Sequence, residues 1–232
     1  MQVYELEPSF VNLTEMTLKR PEDVQAVVKD EPSQPRAILN LLLLGLLGIS
    51  LYSAVFTVIV ALAPPVDWMP PVSLKDPSGA RPLLTYTIGM VEALGICLPS
   101  FYFYGLLAGV RATMLQVAAI SLHALARTGV ILMGILPVYV AAILGTVVLG
   151  ATGGRAYEAL MMAGVLLPFL AGLSTLPVMY RGFVDLIETL PEARAASRAP
   201  MVRLLALAWA VLYTVVAPVT LWAVRGQLEK IL

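Results

Sequence analysis

The chain has 232 residues, of which 59% are hydrophobic and 13% charged, and its fifteen basic residues balance fifteen acidic ones. Soluble domains average about 45–50% apolar and about 25% charged residues, so this composition, with a mean hydropathy of +0.86, excludes a disordered tail and an ordinary soluble domain. A single cysteine, Cys97, excludes a disulfide scaffold, and zero net charge gives no electrostatic reason to expect nucleic acid. The class that fits is an all-α, polytopic helical membrane bundle whose first partner is the lipid bilayer.

Residues 1–36 form a polar arm without the hydrophobic core of a signal peptide, so the first span is expected to act as the insertion signal. Phe10, Leu13 and Met16, with Val11 and Leu18, are spaced for one amphipathic helix. Pro21-Glu22-Asp23 then starts a second, which carries Val24, Val27 and Val28 on one side and stops at Pro32 and Pro35. The arm is expected to pack on the membrane surface or on the protein's own loops.

A helix needs about 20 apolar residues to cross about 30 Å of hydrocarbon. Runs free of Asp, Glu, Lys and Arg cover 37–66, 93–110, 128–154, 159–180 and 204–224, the second extending upstream through Glu92. They predict spans at about 37–63, 86–110, 128–150, 159–180 and 204–224, in a membrane domain 37–226 with a tail at 227–232. A sixth run, 112–126, is too short to cross and reads as a short interfacial helix, with Thr113, Gln116, His123 and Arg127 on its wet side. Five spans place ten basic residues on the side of the N-terminus and five on the other, whereas six spans give eight against seven. The positive-inside rule therefore predicts five spans, the N-terminus inside and the C-terminus outside.

Between the first two spans, prolines 64, 65, 70, 71, 77 and 82 predict a stiff, largely extended strap, with Trp68 at the interface. The inner loop begins at Arg181 and runs past Arg194 and Arg198, its first part continuing the preceding helix as far as Pro191. Tyr157 and Trp222 mark outer membrane boundaries and Tyr180 an inner one.

Few residues carry candidate chemistry. Glu92 is the one acid that a span can include; the residues from Ala93 to Val110 already give about 27 Å of helix, which allows its carboxyl to sit at the outer headgroups. His123 is the single histidine and has no second histidine to complete a zinc site, so it reads as structural or interfacial. Arg127 closes the same stripe. Gly105 and Gly109 form a G-x-x-x-G suited to helix packing. No nucleophile–base pair, phosphate loop or ligand cluster is present in the sequence, so no catalytic residue, cofactor or metal is expected.

The element order resembles the bacterial branch of the Yip family of integral membrane proteins. Leu18-Lys19-Arg20-Pro21-Glu22 stands before the first span, like that family's Arg-Pro element, and five spans follow. The stretch from Thr113-Met114-Leu115-Gln116 to Ala119-Ile120-Ser121-Leu122-His123 leads into the third span much as the family's glutamine-containing segment does. His123 and Arg127-Thr128 stand where the family usually places a tyrosine and a proline. The resemblance implies a non-enzymatic membrane factor and no catalytic residue.

Together these features point to a scaffold or subunit of a membrane complex, working through a protein partner or as a homo-oligomer. Eleven arginines against four lysines, with Ala, Leu, Gly and Val dominant, suit a bacterial inner membrane. The alternative is a small transporter or channel subunit that uses Glu92 and the spans kinked at Pro99, Pro137, Pro168, Pro177 and Pro218. An intramembrane enzyme acting on lipid has the least support.

Overall fold

The computed structural model describes residues 9–29, 34–69, 72–107, 113–187 and 192–231. The elements are α1 (Phe10–Lys19), α2 (Pro21–Lys29), α3 (Gln34–Leu62), a 3-10 turn at Pro77–Ala80, α4 (Arg81–Leu107), α5 (Met114–Val148), α6 (Arg155–Ser174), α7 (Leu176–Ile187) and α8 (Glu192–Ile231). Among the described residues there is no strand. Among the described residues, five helical stretches are long and apolar enough to cross a membrane: α3, α4 as far as Phe103, α5, α6 with α7 as far as Val184, and Ala210–Ile231 of α8.

The arm folds back on the bundle. Ser9 caps α1 by accepting from the Asn12 backbone N–H, and Lys19 pairs with Glu15 at 2.9 Å on the exposed side. That ammonium holds the Glu15 carboxyl below its ordinary range, first through the hydrogen bond and then through its charge. Leu13, Thr17, Val24, Val27 and Val28 are buried, and α1 and α2 pack against α3 and α5. Val11 and Leu18 stay exposed, so only part of the expected apolar side of α1 is used. Pro35 does not stop a helix; it stands at the second position of α3, where a missing N–H costs little.

The short interfacial helix expected over 112–126 is instead the beginning of α5. Thr113 and Gln116 form a reciprocal capping box, with Gln116 Oε1 accepting the Thr113 N–H at 2.9 Å, and the helix then runs unbroken to Val148. Residues 117–126 are mostly sealed all round, because α1, α2, α3 and α7 surround them. Tertiary enclosure removed the wet side that a lone helix would have needed. Residues 192–203 likewise are not loop but the first turns of α8. The strap is not extended throughout, since it turns at Val66–Met69 and again at Asp76–Gly79 and presses Val66 inward. Tyr157, at the start of α6, is fully buried and donates to the Pro64 carbonyl just beyond the end of α3 at 2.6 Å.

The closest helix contact lies between α3 and α5. A Cβ at Gly48 would come within 2.5 Å of the Gly129 backbone, and one at Gly129 within 2.9 Å of the Gly45 carbonyl oxygen. Gly45 also faces Leu125, so the two helices run parallel in register. On the other side α4 meets α8 antiparallel: a Cβ at Gly89 would come within 2.6 Å of Leu221 Cδ2, and Thr220 Oγ1 donates to the Gly89 carbonyl at 3.3 Å. Small residues act here by admitting backbone to backbone, the main source of adhesion between helices in lipid. We predict that Gly48→Ala lowers stability by about 1–3 kcal/mol. Gly226→Ala, at a helical site with nothing within 4 Å, should be neutral or gain up to about 1 kcal/mol. Unfolding of the detergent-solubilised chain by graded SDS compares the two.

Candidate functional site

Two polar layers cross the bundle. The first surrounds Pro168 in α6. A proline within a helix lacks the N–H that would bond four residues back, so Pro168 leaves the Gly164 carbonyl without its usual partner. Tyr52 of α3 fills the vacancy, its hydroxyl donating to the Gly164 carbonyl at 2.6 Å. Tyr86 of α4 donates to the next carbonyl, Val165, at 3.3 Å. Tyr52 stacks on Phe56 with ring centroids 6.3 Å apart, and Phe56 meets Tyr86 edge-on at 6.1 Å. Tyr139 of α5 leans on both Tyr52 and Phe56. Its buried hydroxyl has no hydrogen-bond partner and lies against Gly164, where any Cβ would collide with it. This layer ties α3, α4, α5 and α6 together. The residues that build it, Tyr52, Tyr86 and Tyr139, were not singled out in the sequence. The available signal was Pro168 itself, whose freed carbonyl requires a donor from another helix.

The second layer surrounds a small cavity of about 20 Å³ lined by Met90, Leu94, Leu125, Thr128, Thr175 and Tyr213, among others. That volume suits about one water molecule. Its hydroxyls are already engaged: Ser121 donates to Val117, Thr128 to Ala124, Thr175 to Gly172 and Tyr213 to the Met90 sulfur. The chemistry available in this layer is packing and local hydrogen bonding. Below it, Phe101 of α4 stacks on Phe183 of α7, with ring centroids 5.4 Å apart.

The residues singled out in the sequence fall in or near this second layer but do not form one site. Glu92 lies between Met90 and Leu94 in α4, yet its side chain is exposed, on a ridge with Ile88 and Ile96 that faces away from the bundle. Arg127 lies between Leu125 and Thr128, thirteen residues into α5 rather than in a loop, and is partly exposed. His123 is 1% exposed, and its Nε2 has no hydrogen-bond partner. Gly105 is in ordinary contact with Phe183, 3.9 Å from where a Cβ would stand, and Gly109 lies outside the described residues. Cys97 is buried in α4. Among the described residues no three His, Cys, Asp or Glu side chains gather as a metal site would require.

The cavity fixes the depth of the two charges. Tyr213 stands ten residues after Arg203 and twelve before Arg225 in α8, about 15 and 18 Å along the axis. Gly45, level with Leu125, is nine residues beyond Arg36, about 14 Å. Glu92 is the central residue of the Arg81–Phe103 stretch, and an uncompensated charge at the centre of a spanning helix costs about 2.5–3.5 kcal/mol.

No protein-family model matches the chain, and no curated protein or solved structure matches it.

Two expectations follow from the layers. Tyr52→Phe strands the Gly164 carbonyl and should cost about 1–3 kcal/mol, the penalty of an unsatisfied buried acceptor. In a Pro168→Ala background the helix supplies its own N–H, so the same substitution should cost much less. A double-mutant cycle in the SDS unfolding assay reads the coupling. His123→Leu removes an unpartnered buried nitrogen and should leave stability equal or higher; a marked loss of Tm would show that the imidazole has a partner.

Proposed function

We propose that the chain is a non-enzymatic subunit or scaffold of a membrane complex. The observation that carries this reading is where the unspent polar groups lie. The interior hydroxyls of the second layer are used in packing and enclose space for about one water. The charged groups at mid-span, Glu92 and Arg127, are exposed or partly exposed. Charged groups exposed on the flank of a spanning bundle are suited to holding other membrane helices. The resemblance of its element order to the Yip family agrees with such a role. The outward direction of Glu92 weighs against a solute pathway running past that carboxyl through the bundle.

The basic residues clustered at the arm end favour a cytoplasmic arm by the positive-inside rule, and the excess of arginine over lysine suits a bacterial inner membrane. In whole cells, a cysteine at Lys19 should then escape a membrane-impermeant maleimide while one at Lys230 is labelled. Purification of the tagged full chain in mild detergent should yield an assembly, with itself or with another membrane protein. A monodisperse single chain that drives solute flux in liposomes would overturn the proposal.

A further inference from the structure

Glu92 and Arg127 are opposite charges at one depth on different faces of the same bundle. Each is held to that depth by its neighbours: Met90 and Leu94 flank Glu92, Leu125 and Thr128 flank Arg127, and all four line one cavity. Both charges fall inside stretches able to cross a membrane, Arg81–Phe103 and Met114–Val148. Neither makes a salt bridge within the chain among the described residues.

The surroundings of each charge suit a helix contact. Glu92 is centred on the ridge Ile88–Glu92–Ile96, with Ile88 37% and Ile96 57% exposed; spacing by four sets the three on one line. Arg127, partly exposed, begins a second line on α5 that continues through the half-buried Ile131 to the exposed Gly134 and Val138, the last 71% exposed. A Cβ at Gly134 would meet nothing within 4 Å, so this line has an open notch one to two turns beyond the guanidinium. A ridge with a carboxylate and a notched line with a guanidinium are complementary in shape and charge.

We propose that the partner at this surface is a second copy of the same chain, with Glu92 of one copy pairing with Arg127 of the next. Copies in one membrane are related by rotation about the membrane normal, and such a rotation keeps every residue at its own depth. Two charges at equal depth on different faces therefore meet without any vertical shift. The contact is head-to-tail, and its repetition closes a ring where the angle between successive copies divides a full turn. Carboxylate and guanidinium then neutralise each other where neither can be hydrated, and the bidentate fork of arginine matches a carboxylate. This inference rests on the reading of the chain as a complex subunit and names the partner.

The full-length protein, purified in mild detergent, is sized by light scattering corrected for bound detergent. Wild type should give a multiple of 24.9 kDa. Glu92→Gln and Arg127→Gln should each reduce it to a single chain or raise its dissociation constant at least tenfold. The double exchange Glu92→Arg with Arg127→Glu should restore the multiple. An independent measurement in native membranes co-expresses two differently tagged copies, one Ile88→Cys and the other Ile131→Cys, both carrying Cys97→Ala and both keeping Glu92 and Arg127. A short bis-maleimide should join one tag to the other, while Trp222→Cys with Ile131→Cys should not join. A single-chain wild type, an assembly indifferent to both Gln variants, or a failed cross-link would each overturn the pairing. If the chain is single yet co-purifies with another membrane protein, self-pairing fails and the subunit reading stands. If it is single and drives solute flux, both fail.

Discussion

The contact on which the bundle depends is the approach of α3 to α5 at Gly48 and Gly129, where the backbones are close enough that neither residue can carry a Cβ without displacement. In lipid, apolar side chains gain nothing from leaving one hydrocarbon for another, so adhesion comes from close packing and hydrogen bonds. Gly45, Gly48 and Gly129 supply the packing. One consequence reaches several residues along the pair: the parallel register set at the glycines brings Tyr52 and Phe56 of α3 beside Tyr139 of α5. That register also points the Tyr52 hydroxyl at the Gly164 carbonyl. A helix broken by Pro168 is thus repaired by a neighbour whose position was set by glycines elsewhere.

The same contact explains the fate of the segment with His123. Residues 114–127 are the lower part of α5, and α5 is held upright against α3, so this segment cannot lie flat at the interface. It rises into the bundle and is covered by α1, α2 and α7. The arm thereby becomes part of the bundle, because its buried valines and Leu13 shield the start of α5. His123 is sealed in the process, and its unpartnered nitrogen is a cost carried by the packing around it.

The five spans were legible from the chain because length and hydropathy alone decide whether a helix can cross. The buried valines of α2 were legible for a similar reason, since their spacing already made one face. The partner of Tyr157 was not legible, because the Pro64 carbonyl it donates to stands 93 residues away in the chain. Gly105 with Gly109 is the more conspicuous motif in sequence, yet the tightest contact uses Gly48 and Gly129, which lie on different helices. No spacing within one helix reveals such a pairing.

Hydropathy determined by itself that the chain is helical and membrane-spanning, because a helix satisfies nearly all of its own backbone and the energy of transfer into lipid is additive along it. Tertiary structure alone decided which faces meet, how deep Glu92 and Arg127 lie, and which polar groups are already used. Those properties depend on register between helices, and in a solvent as apolar as the side chains themselves, register is set by contacts between residues far apart in the chain.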